Sequence, residues 1–290
     1  MRVAVVGHVE HISLGRVPAL PGEGGIAHLE DLHVFPGGGG GVTFFQLVKS
    51  AAEVHFFTAL GDDQAAQEVE ARLAQTGARI HAARRRAPQT RDVVLIPPGG
   101  DRTIVVLGQP LHPRLDDPLP WDVLATCDAV YFTAQDPRIL GAARGARLLV
   151  ATSRRAPAIR QGGVALDLVV GSALDPREAA RLADFDTRAL VMTEGAAGGF
   201  AETAAGVVRF PAPVQSRAAA GPASAAASAS SGAAASPGGG AYGAGDSFAG
   251  ALLYFVAQGV PLVEACTRAG VHGAAVLAGL DPLAHQLPLP

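Results

Sequence analysis

The segment Ala241-Tyr242-Gly243-Ala244-Gly245-Asp246-Ser247-Phe248-Ala249-Gly250 runs three small residues straight into an acid, and the acid opens a helix. Phe248, Ala251, Leu252, Phe255 and Val256 give the helical period of about 3.6 residues. Gly259 and Pro261 supply the stop that a helix C-terminus uses. A Gly-Ala-Gly turn at a helix start leaves backbone N–H groups unpaired and open to a ligand, and the helix dipole adds partial positive charge there. The place therefore suits phosphate or another anion. Asp246 sits beside it, where a carboxylate can take a proton from a hydroxyl attacking phosphorus. The alternative is that Asp246 only caps the helix and Gly243 and Gly245 only make a tight entry.

Outward from that turn, composition narrows the class. The chain has 290 residues, long enough for one large α/β domain. Its net charge of −3 is spread along the sequence, which gives no electrostatic case for nucleic acid or an anionic membrane. Arg84-Arg85-Arg86 reads as a solvated loop. Cys127 and Cys266 make neither a disulfide framework nor a metal spacing and are expected buried and reduced. The apolar run Val3–Val6 is too short for a signal peptide, so a cytoplasmic protein is expected.

Arg2–Val6 reads as the first strand of a parallel sheet, ending at Gly7. Only Gly7 and Gly15 stand where a dinucleotide fingerprint would need three glycines, which argues against NAD. His8 and His11 fall on opposite faces of any strand, so they do not form a metal pair. Glu10 is the better candidate there, for a substrate hydroxyl. Five consecutive glycines, Gly37–Gly41, lead into Val42-Thr43-Phe44-Phe45. They read as a flexible turn or as a glycine floor under a small polar substrate.

Val54–Leu60, Ala129–Thr133, Arg147–Ala151, Leu166–Val170 and Ala189–Thr193 read as apolar strands, with Gln64–Gln75 an amphipathic helix. Thr90–Ile96 and Arg102–Leu107 form a hairpin signal. Such alternation predicts a mostly parallel sheet with helices on both faces and ligands at the carboxyl ends of its strands. Residues 218–241 contain only Ala, Gly, Ser and Pro and are expected to form a mobile loop.

These residues carry a resemblance to the ribokinase-type (PfkB family) carbohydrate kinases over nearly the whole chain. The carriers are the strand into Gly7, the Gly37–Gly41 run, Phe57-Thr58-Ala59-Leu60-Gly61-Asp62-Asp63, Thr193-Glu194-Gly195-Ala196-Ala197-Gly198 and, most specifically, Gly243-Ala244-Gly245-Asp246-Ser247-Phe248. The resemblance implies an α/β three-layer sandwich in one domain, with a small β lid from about 10–35 and 90–108. It implies ATP and Mg²⁺ as cofactors, a sugar or nucleoside as the small-molecule substrate, and leaves open a monovalent cation and a homodimer through the lid. Asp246 would be the base, and the amides of Gly243, Ala244 and Gly245 the anion hole. Thr193, Gly195 and Gly198 match the nucleotide turn, and His272 falls where the family lines its adenine pocket. Ser172-Ala173-Leu174-Asp175 takes the place of the family's Asn-x-x-Glu, with Ser172 toward the phosphates and Asp175 orienting the metal through water. Glu10, Gly38, Gly39 and Val42 would line the substrate site.

The chain departs from the family at Ile12, where an Asp usually meets sugar hydroxyls, at Val42, where an Asn follows the glycines, and at Gly240, where an Asp usually precedes the anion turn. Three functions follow: a sugar or polyol kinase; a nucleoside kinase, if Val42 and Phe44 make an apolar pocket; or a catalytically weak sugar- or nucleotide-binding relative.

Overall fold

The computed structural model describes residues 1–99, 102–213 and 242–290. The tract at 218–241, including Gly240, and the tip of the predicted hairpin at 100–101 lie outside the described residues. In chain order the elements are β1 (Arg2–Val6), β2 (Glu10–Arg16), β3 (Glu30–Gly37), α1 (Gly38–Leu47), β4 (Glu53–Leu60), α2 (Gln64–Ala74), β5 (Arg79–Arg84), β6 (Arg91–Ile96) and β7 (Thr103–Leu107). Then come β8 (Ala129–Phe132), α3 (Ile139–Ala143), β9 (Leu148–Thr152), α4 (Ala156–Gly162), β10 (Leu168–Ser172), β11 (Ala189–Thr193), β12 (Gly199–Thr203), β13 (Gly206–Phe210), α5 (Ala244–Ala257), α6 (Leu262–Ala275) and α7 (Pro282–His285).

Alternation along β1 shows how three layers arise from one strand. Val3 and Val5 enter the core under α1, α2, α5 and α6, with Phe44, Leu47, Leu73, Leu252 and Phe255. Ala4 and Val6 enter the opposite core, with Leu124, Ile139, Leu140 and Ile159 from the α3–α4 side. Fully buried strands of this kind need apolar residues on both faces, so they read as runs rather than alternations. Each such Val, Leu or Phe contributes on the order of 1.5–3 kcal/mol.

The main sheet has nine strands in the order β13-β12-β11-β10-β9-β8-β1-β4-β5. β1, β4, β5 and β8–β11 run parallel, while β12 and β13 are added antiparallel. The strand order reverses around β1, which flanks β4 on one side and β8 on the other, and a crevice opens at their carboxyl ends. The parallel strands other than β5 were legible in the sequence; β5, rich in arginine, and the antiparallel β12 and β13, which carry charge and glycine, were not.

A second sheet, ordered β3-β2-β6-β7, is built from segments 10–37 and 91–107. Ile12, Leu14, Val94 and Ile96 are buried beneath it. Its other side exposes Leu32, Val34, Val105 and Leu107.

One expectation is corrected here. Arg85 is not a solvated loop residue: it forms a bidentate pair with Asp117, both contacts 2.7 Å, and donates to the His112 carbonyl at 2.9 Å. Ile12, standing where the family has a polar contact, is a core residue with no exposure. Cys127 and Cys266 are both free and buried. Among the described residues, no helix is long and apolar enough to cross a membrane.

Candidate active site

The glycine run is not a flexible turn. Gly37 closes β3, and Gly38–Leu47 is already helix. Gly40 packs its backbone on the turn after β1: a Cβ there would lie 2.5 Å from the His8 carbonyl oxygen, and Gly41 N donates to that oxygen at 3.1 Å. Gly38 and Gly39 face the crevice instead. A Cβ on Gly38 would meet Glu10 Oε2 at 2.9 Å and the His8 ring at 3.0 Å. One on Gly39 would stand 3.2 Å from Asp246 Oδ1 and 3.5 Å from Thr133 Oγ1. The floor therefore joins Glu10, His8, Thr133 and Asp246 in one cleft, with room that only glycine leaves.

Asp246 is not the helix cap. That position belongs to Gly243, with φ +78° in the left-handed region, while Asp246 lies in the first turn of α5. Ser247 N donates to Gly243 O at 2.9 Å, which leaves the preceding amides of the turn outside the intrahelical ladder. Tyr242 ties the turn to the floor by accepting a hydrogen bond from Gly38 N at 2.9 Å. Gln286 donates to Val42 O and to Ser247 Oγ at 2.9 and 3.0 Å, and Thr43 donates to Asp246 O at 3.2 Å. The anion turn is thus held to α1 from both sides. Burial pushes the Asp246 carboxyl up to about 6, with the charge of Glu178 adding to the rise and Arg154 and Arg102 opposing it.

Glu178 was not singled out in the sequence. Asp175, which was, accepts hydrogen bonds from Arg154 at 2.8 Å and from the Arg177 amide at 2.9 Å. Burial works against its charge, but these partners win and hold it down to about 2. Glu178 folds back instead: it accepts a hydrogen bond from Ser172 N at 3.0 Å and pairs with Arg154. Its charge helps raise the Asp246 carboxyl, so of the two acids Glu178 is the one whose influence reaches the anion turn.

Thr193 closes β11 and donates to the Gly171 carbonyl at 3.3 Å. Gly195 and Gly198 both have positive φ, 59° and 86°. A Cβ on Gly195 would lie 3.1 Å from Leu174, whose side chain is exposed, so Ser172–Leu174 and Thr193–Gly198 form one rim. Gly198 is fixed by the fold as well, since a side chain there would strike the Phe210 carbonyl.

Two proposed site residues are buried. Val42 has no exposure and packs under Gly243. His272 has its ring on Phe255, centroids 5.8 Å apart, while the adjacent Gly273 packs on the Ala244 carbonyl, where a Cβ would lie 3.0 Å away. Phe44, invoked for a base-stacking pocket, stacks on Phe56 in the core at 4.7 Å.

Around Glu10, which the sequence singled out, the other end of the cleft gathers His8, Asp92, His112 and Arg155. Burial, and then the neighbouring Asp92, push the Glu10 carboxyl far above the usual carboxylate range. His8 lies 3.6 Å from Glu10, and its ring centroid is 4.7 Å from that of His112. Burial lowers both imidazoles, so they are neutral at pH 7. Arg155 anchors its Nε on the Thr133 carbonyl at 2.9 Å. His11 points away, to Glu68 on α2 at 2.9 Å. Among the described residues no cluster of His, Cys, Asp and Glu could hold a metal by itself.

The Gly243–Gly245 turn, the half-buried Asp246 carboxyl and the glycine floor thus lie together at the carboxyl edge of the main sheet. Residues 1–159 match the pfkB family of carbohydrate kinases, and the chain belongs to that family. The fold agrees with solved structures. Ribokinase from Thermotoga maritima superposes with a TM-score of 0.68 at 16% identity, covering 99% of this chain and 96% of that one. Adenosine kinase from Sinorhizobium meliloti gives 0.73 at 17%, covering 98% and 97%. Arabidopsis thaliana ribokinase, in complex with ribose and ATP, gives 0.70 at 13%, covering 99% and 95%. Among curated proteins none matches the chain.

Proposed function

We propose that the protein transfers the γ-phosphoryl group of ATP to a hydroxyl of a sugar or sugar-like molecule. The observation that carries this reading is Asp246 at the start of α5, its carboxyl against the Gly39 floor and raised to about 6. A base poised there is largely ionised at pH 7 yet still basic enough to accept a proton. The acceptor hydroxyl gives its proton to Asp246 as its oxygen bonds to phosphorus and ADP departs. The amides of Gly243, Ala244 and Gly245 stabilise the charge on the transferring group. Positioning does most of this work, which suits a site made from backbone held by Tyr242 and Gln286.

ATP fits the rim of Thr193, Gly195 and Leu174. Mg²⁺, which neutralises phosphate charge when bound, usually takes only one or two protein carboxylates, and Glu178 with Asp175 supplies that number. Both acids are already engaged by Arg154, which fits contact through water. The nucleoside alternative loses its residue-level support, because Val42 and Phe44 lie in the core. We extend the reading to a lid role for the second sheet and to a second copy of the chain on its exposed Leu32, Val34, Val105 and Leu107. Light scattering checks the latter: Val34→Asp with Val105→Lys should shift a dimer toward monomer.

The deciding experiment measures ADP release with Mg-ATP across sugars, polyols and nucleosides, for wild type and Asp246→Asn. Turnover that collapses in the variant supports the reading, and undiminished turnover removes Asp246 as the base. ATP binding without any turnover would favour a non-catalytic relative.

A further inference from the structure

Two consecutive arginines, Arg154 and Arg155, follow β9 into the cleft, and adjacent side chains diverge. Arg154 turns to the phosphoryl side, where Asp175 and Glu178 neutralise it. Arg155 turns to the acceptor side and meets no carboxylate within ion-pair distance among the described residues. Its Nε is used by the Thr133 carbonyl, and its Nη2 has only two long contacts, to His8 Nδ1 at 3.5 Å and His112 Nε2 at 3.4 Å. Among the described residues, Nη1 has no hydrogen-bond acceptor.

A half-buried guanidinium left this way is unusual, because buried charge costs several kcal/mol unless it is paired. The surroundings are arranged for it rather than by accident. His112 is 7% exposed, its Nδ1 has no partner, and its backbone is pinned by the Arg85–Asp117 pair. A cavity of about 420 Å³ is lined by His112 with Gln109, Arg114, Gln135 and Asp136 but not by Arg155 or His8, so it meets the arginine only through His112. Burial and Asp92 raise the Glu10 carboxyl far above the usual carboxylate range, so at neutral pH it does not repel a negative charge.

We propose that Arg155, with His8 and His112, forms an anion subsite, and that the phosphoryl acceptor is a sugar derivative bearing a carboxylate or a phosphate. The guanidinium binds the anion through Nη1 and Nη2, as a fork suits a planar or tetrahedral oxyanion. The imidazoles donate N–H bonds to its remaining oxygens. This rests on the kinase reading for the word acceptor but not for the subsite itself.

The test uses matched pairs, gluconate beside glucose and ribose 5-phosphate beside ribose, extended to other aldonates, uronates and sugar phosphates. Calorimetry reads binding without turnover, and ADP release with Mg-ATP reads turnover. We expect wild type to favour the anionic member of at least one pair by tenfold or more, and the pair that responds separates carboxylate from phosphate. Arg155→Gln should weaken binding of that anion about 10- to 100-fold. Arg155→Lys should recover part of the loss, and His112→Leu should lose less. Equal or better binding of the neutral members by wild type overturns the inference, as does failure to bind either class. Arg155-dependent anion binding without ADP release would keep the subsite and remove the kinase reading. Turnover of neutral sugars insensitive to Arg155→Gln would do the reverse.

Discussion

The two ends of the cleft are built from different materials. The phosphoryl end is mostly backbone: three consecutive residues with small or absent side chains, a helix start, and one acid fixed in register with them. The acceptor end is side chains, with His8, Glu10, Asp92, His112 and Arg155 drawn from four separate stretches of chain. A backbone site is written contiguously because its geometry requires consecutive residues. A side-chain site is assembled by topology, so its members can lie anywhere that strand order brings to one edge.

The sharpest way to break this contrast is Asp246→Asn. The amide cannot take the proton, so kcat should fall by about 10²–10⁴-fold, while circular dichroism and melting remain near wild type. A loss below tenfold would mean that the phosphoryl end works through positioning alone. The pH profile comes next. A carboxyl raised to about 6 is ionised above that pH and protonated below it. As only the ionised form is a base, kcat/KM should be flat above about pH 7 and decline roughly tenfold per unit well below 6. A profile flat down to pH 4.5 would deny Asp246 its role.

Much of the phosphoryl end was legible, and the reasons are physical. Gly243 needs a left-handed φ, and the helix opens with Asp246 in its first turn; both constraints act on residue type locally. The acid opposite was harder. Asp175 holds the expected spacing, but Arg177 two residues on captures it locally, while Glu178 returns to the Ser172 amide and its charge reaches Asp246. Spacing alone does not show which of two nearby acids a turn folds inward. The nine-stranded sheet was readable where its strands are buried apolar runs; β5 and β13 at its two edges pair on one side only and β12 carries charge and glycine, so these three were not. Val42 follows the glycines as predicted, but α1 turns its side chain into the core. Arg155 gave no signal, since an arginine after a strand says nothing about whether a carboxylate awaits it.

The acceptor end also makes a stability prediction. Burial and Asp92 keep Glu10 protonated in the folded protein, whereas in the unfolded chain it ionises near the ordinary value of 4.5. Above that pH the unfolded state binds fewer protons than the folded state, so this group makes stability fall as pH rises. Glu10→Gln keeps a donor toward Asp92 without an ionisation to suppress. It should raise stability at pH 8 by about 1–2 kcal/mol and have little effect at pH 4. Melting curves at the two values check the difference, and equal shifts at both would mean that Glu10 is not held neutral.

The smallest effect bears directly on why the anion turn is glycine-rich. Gly245 has ordinary φ, is exposed, and has nothing within 4 Å of where a Cβ would stand. Inside a helix, glycine costs about 0.8–1 kcal/mol relative to alanine. The protein on its own therefore has no steric use for glycine there, and Gly245→Ala should stabilise it by up to about 1 kcal/mol. A ligand phosphoryl approaching the amide closely would meet the new methyl group, so kcat should fall as stability rises. Gly243→Ala makes the contrast, because its φ of 78° and its 3.0 Å approach to Pro282 predict losses in both. If Gly245→Ala gains stability and keeps full activity, close approach at that position is not what the turn is for, and the anion hole must be sought in the neighbouring amides.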